Sequence, residues 1–125
     1  MDRVAIIGVA QSRFEAAKPA DTFADLAYDV ASRALADAGL SIADVGNIVT
    51  ASNDFLDGRT ISSMAVGDAV GAAFGEGKNI STVEGDGAFA AVYGLSRVLS
   101  GSYGTTLVVA PSKACETRQT KAPVL

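Results

Sequence analysis

Glu84-Gly85-Asp86-Gly87 joins a short run of strand character, Ser81-Thr82-Val83, to a long apolar helical segment that stops near Gly101. At such an elbow the N–H groups of the first helical turn lack intrahelical partners and point outward. That end stabilises negative charge, so it suits a nucleophile or an oxyanion. The side chains there offer little chemistry. Gly87 either lends its N–H to an oxyanion hole or simply tolerates a tight turn. Asp86 reads as an acid or base at the helix end, or as a plain N-cap. Glu84 reads as a turn residue accepting from nearby N–H groups. Two other groups carry chemistry. Cys115, in SKACE, is an ordinary loop thiol unless a cation activates it, and Lys113 shares its face only if that stretch is extended. Tyr93 has a phenol that can serve as acid or base in C–C cleavage, although it equally fits a core or interface aromatic, like Tyr28 and Tyr103. Asp54, Asp57 and Arg59 read as a solvated charged loop.

The composition excludes several classes. The chain has 125 residues, enough for one domain with a real core. Its 49% hydrophobic content argues against disorder. No apolar run approaches the roughly 20 residues that span a bilayer, so no membrane role is expected. The first apolar run is followed at once by Gln11, Ser12 and Arg13, which fits a buried strand and not a secretory signal. One cysteine cannot form an internal disulfide and fits a reducing cytoplasm. A net charge of −4 without a Lys/Arg cluster argues against nucleic acid. There is no histidine, so any imidazole chemistry must be supplied from beyond these residues.

The elements that must position the elbow follow in chain order. Val4–Val9 is a continuous apolar run with β-branched residues, the pattern of a strand covered on both faces. Thr22 and Asp25 give a capping-box start to a helix whose apolar residues run from Phe23 to Ala38, and Gly39 stops it. Ser41 and Asp44 cap a further short turn. Asn47–Ala51 reads as a second strand. Thr60–Phe74 reads as a helix of small residues, Asn79–Val83 as a third strand, and Thr105–Ala110 as a fourth. In the segment after the elbow, Ala88, Ala91, Val92, Leu95, Val98 and Leu99 recur at helical spacing, with small residues filling the rest. A helix so apolar all round is expected in the middle of a layered domain. Strands alternating with helices predict an α/β fold with a mostly parallel sheet.

VAIIGVAQSRF, the helix ending ASRALADAGL and the turn-helix TVEGDGAFAAVYG together resemble the thiolase superfamily, nearest the sterol-carrier-protein-2-type thiolases and related archaeal and bacterial thiolase-like proteins. The resemblance runs from Arg3 to about Glu116, so residues 1–116 form the expected N-terminal thiolase-like domain and 117–125 a loop or tail. It implies a thiolase-like βαβαβα layered half-fold, incomplete on its own, corresponding to most of the first of two similar halves. It departs from the family at one telling place. Thiolases of this branch carry a turn of the type V-E-x-A-C-A-S-G, and Val83, Glu84 and Gly85 match its start. Asp86 then stands at the alanine, Gly87 at the nucleophilic cysteine, Phe89 at the serine and Ala90 at the glycine. Gly87 and Asp86 are thus the candidate catalytic positions, without the thiol. The family's histidine and second cysteine come from the C-terminal half.

The resemblance implies chemistry on CoA thioesters, making or breaking a C–C bond beside the thioester carbonyl, with coenzyme A as co-substrate and no bound cofactor or metal. Thiolysis needs an acyl-cysteine; thiolase-like retro-aldolases do not, and they work with a zinc-ribbon/OB-fold protein. A second reading is a catalytically silent subunit completing an active paralogue, since thiolases pair through the edge strand that Asn79–Val83 supplies here. In either case a half-fold leaves the elbow helix uncovered on one side, so a thiolase-like chain supplying the second half, or a longer protein, is expected, and these residues alone are expected to be inactive. Gly85-Asp86-Gly87 also matches the G-D-G opening of the thiamine-diphosphate motif, but no asparagine follows Asn79 to complete it.

Overall fold

A computed structural model describes residues 3–52, 62–72 and 77–113. The fold begins where capping chemistry places it. Thr22 accepts from the Asp25 N–H at 3.1 Å, and the Asp25 carboxylate accepts from the Thr22 N–H at 2.8 Å. This reciprocal pair starts α1, Phe23–Ala38, which Gly39 ends in the left-handed conformation. Ser41 and Asp44 repeat the device on a short 3-10 turn, Ile42–Asp44. Then follow β1 (Asn47–Ser52), α2 (Ser62–Ala69), β2 (Asn79–Glu84), α3 (Gly87–Leu99) and β3 (Thr106–Val109).

The three strands form one parallel sheet in the order β2-β1-β3, open at both edges among the described residues. Alternation along β1 sorts the core into two layers. Ile48 packs with Phe23, Ala27, Ala31, Val66 and Leu107 beneath α1 and α2. Val49 and Ala51 pack with Ala90 of α3 on the other face. The result is helix, sheet and helix with β1 wholly buried, an α/β half-fold of the expected kind. Register is pinned at the amino ends of the strands. Asn47, fully buried, donates to Thr106 Oγ1 at 3.1 Å and accepts from Asn79 Nδ2 at 2.7 Å, linking the three strands at their first residues.

One expectation is corrected. Val4–Val9 is not a strand. It lies along α1, with Gly8 set against the Ala34 carbonyl and Ala38, and the Val9 N–H donating to Asp37 Oδ2 at 2.9 Å. The run is held by α1 and pairs with none of the three described strands, although the outer edges of β2 and β3 stand open, and Ile6 is 87% exposed. Helix α3 is uncovered on one side, as a half-fold implies. Its inner face is the stripe of small residues Gly87, Ala90 and Gly94, while Phe89, Val92, Leu95 and Leu99 face outward. A Cβ on Gly94 would stand 2.7 Å from Val108 Cγ2, so the helix lies too near the sheet for larger residues. Helix α2 is also shorter than expected, Ser62–Ala69, with residues 60, 61, 73 and 74 outside the described part. Cys115 and the loop bearing Asp54, Asp57 and Arg59 lie outside it too, as does the proposed tail at 117–125.

Two predictions follow from this packing. Gly94→Ala should destabilise the chain by about 1–3 kcal/mol through overpacking against a stiff β-branched side chain, and Val108→Ala should relieve most of that loss in the double mutant, as read by urea unfolding. The second concerns acid. Hydrogen bonds from Thr22 and Ser41 hold the Asp25 and Asp44 carboxylates below their ordinary value of 3.8. A carboxylate depressed by folding stabilises above its unfolded pKa and loses that contribution as pH falls through its folded one. Stability should therefore be flat from neutral pH down to about 4 and decline below it. Asp25→Asn should flatten the decline, and Thr22→Ala should cost about 1 kcal/mol at neutral pH.

Candidate functional site

The ladder between β1 and β2 runs to the last residue of each, Ser52 opposite Glu84, and the Gly85 N–H continues it by donating to the Ser52 carbonyl at 3.1 Å. There the chain must leave the sheet and reverse into a helix. Gly85 makes the bend at φ +129°, a region that L side chains rarely adopt. Asp86 returns to extended backbone and caps α3, its Oδ1 accepting from the Ala88 N–H at 2.9 Å and the Phe89 N–H at 3.3 Å. Gly87 is the first helical residue.

This elbow borders a cleft of about 150 Å³ at the carboxyl ends of the three parallel strands. Ala51 and Ser52 close it from β1, and Ala110, Pro111 and Ser112 from the segment after β3. Ser52 is almost fully buried. Open parallel sheets bind ligands outside the carboxyl ends of their strands, so the position suits a reaction centre. The structure brings both sequence-predicted positions, Gly87 and Asp86, to this one cleft. Their side-chain resources are limited. Asp86 is engaged as a cap, and Gly87 offers backbone only. A Cβ at position 87 would lie 3.2 Å from the Ala110 Cβ, so Ala110 crowds the place a nucleophile's side chain would leave from.

The remaining candidates lie elsewhere. Tyr93 is not among the residues lining the cleft. The Arg97 guanidinium stands 5.9 Å from the Tyr93 ring centre and 4.9 Å from that of Tyr103, a cation–π arrangement in the last turn of α3. The buried Arg97 Nε finds no acceptor among the described residues. Tyr28 is an exposed residue of α1. Glu84 is exposed at the end of β2. A larger groove of about 460 Å³ runs between the Gln11–Arg13 stretch and α1. Three of its charged groups are already engaged: Arg33 binds Asp29 at 2.6 Å and the Gln11 carbonyl at 3.1 Å, and Asp25 is committed to its cap. The smaller cleft at the elbow has the stronger claim to chemistry, because backbone donors and strand ends converge there. Among the described residues no group of three His, Cys, Asp or Glu side chains could hold a metal ion. No described helix is long and apolar enough to cross a membrane.

Sequence reasoning missed Ser52, Ala110 and Ser112. The available signal was topological: each follows or ends a strand of a sheet expected to be parallel, and all such ends meet on one side.

The spacing at the elbow yields a test. Gly87→Ala gains helix propensity worth up to about 1 kcal/mol but forces Ala110 to yield. The gain should appear in full only when Ala110→Gly is also present, so a double-mutant cycle by thermal or urea unfolding should show favourable coupling between the two positions. Strict additivity would place them out of contact.

No family model matches the chain, and no curated protein sequence matches it. Among solved structures the chain is similar to AbyA1, described as a tetronic acid condensing enzyme, at 28% identity and a TM-score of 0.57 over 72% of this chain. The matched region is 28% of that enzyme's chain, so the residues described correspond to well under half of it. The likeness supports a thiolase-like fold.

Proposed function

We propose that this chain provides the nucleophile-elbow half of a thiolase-like enzyme, with glycine at the nucleophile's position, and that it acts on CoA thioesters within a larger assembly. The observation that carries this reading is the elbow itself: Gly85 bent at φ +129°, Asp86 as cap and Gly87 opening α3 at the carboxyl ends of a parallel sheet. The likeness to a condensing enzyme supports it. In this reading the Gly87 N–H helps hold a thioester oxygen as charge develops on it. A histidine and a thiol come from a thiolase-like second half, whether a separate chain or a further part of the same protein. That half also covers the outward apolar face of α3. Coenzyme A is the co-substrate and the reducing cytoplasm the setting.

A specific observation favours a second reading, the silent subunit of an active paralogue. Ala110 crowds the nucleophile position, and the Asp86 carboxylate is occupied, so the cleft has no free side chain in the nucleophile's place.

The deciding experiment restores the thiol. In a Cys115→Ser background, Gly87→Cys together with Ala110→Gly should place a thiol at the helix start, where the dipole favours thiolate. Its alkylation by iodoacetamide at pH 7 should be about tenfold or more faster than that of free cysteine. An ordinary rate would remove the elbow as a reaction centre. In parallel, every chain that co-purifies with the native protein should be identified. The complex is then assayed for thiolysis of a β-ketoacyl-CoA and for retro-aldol cleavage of a β-hydroxyacyl-CoA. Activity abolished by a substitution at Gly87 supports the enzyme reading. Activity indifferent to it, residing wholly in the partner, supports the silent subunit. Retro-aldol activity that requires a zinc-ribbon/OB-fold protein would assign the reaction class.

A further inference from the structure

We draw no further inference here: the strongest candidate, the outward apolar face of α3 formed by Phe89, Val92, Leu95 and Leu99, belongs to the assembly already proposed, and nothing in the structure shows what covers it.

Discussion

Helix α3 approaches the sheet so closely that its inner stripe has almost no side chains. Gly87, Ala90 and Gly94 recur at the three- and four-residue spacing of one helical face, and each meets the sheet side at short range or is buried beneath it. This near approach brings the first turn of α3 to the cleft beside Ala110 and Ser52. It also turns the larger residues of the helix away from the core. A helix rotated to bury Val92 and Leu95 would have to stand farther from the sheet to make room for them, and its first N–H groups would then stand away from the strand ends. The same contact therefore makes the candidate site and leaves an apolar face outward.

Placing the elbow also requires the strands to keep register. A one-residue slip in β2 would move Gly85 away from the Ser52 carbonyl and exchange the two faces of the strand. Apolar packing alone penalises this weakly at an edge strand with no fully buried residue. The polar link from Asn79 through Asn47 to Thr106 supplies the missing specificity. Asn47 is fully buried, so losing its partners would leave an unsatisfied amide at a cost of about 1–3 kcal/mol. Five residues farther along β1, at its other end, the consequence of that register is the geometry of the cleft.

Much of this was legible in the residues, for local reasons. Thr22 with Asp25, Ser41 with Asp44, and Gly39 act within one turn, so the sequence carries the whole interaction and the elements begin and end where those residues predict. The Asp86 cap and the Gly85 bend are equally local. What the sequence concealed depended on distance between elements. The apolar periodicity of α3 is real, but periodicity reports which residues share a face and not which face meets the sheet. The small residues won because the helix lies so near. Val4–Val9 has the composition of a buried strand, yet composition cannot reveal that α1 holds its backbone, the Val9 N–H at Asp37 and Gly8 against Ala34. Ser52 and Ala110 carry no pattern of their own and join the site only through topology.

The elbow's remaining chemistry is that of its backbone. A carboxylate that caps two N–H groups cannot leave them without uncapping the helix, at a cost of about 1 kcal/mol, so Asp86 is poorly placed to shuttle protons. A glycine cannot form a covalent acyl intermediate. What persists is a helix start directed at the strand ends, able to stabilise an oxyanion that develops nearby. Acyl transfer through a thiol asks this elbow for a group that Gly87 does not carry. Cleavage of a β-hydroxyacyl thioester asks it only to stabilise an enolate while a base from elsewhere takes the hydroxyl proton. Within the proposed function, the geometry of Gly87 thus makes fewer demands on this chain for retro-aldol cleavage than for thiolysis. In the proposed assembly that base would come from the half that covers α3.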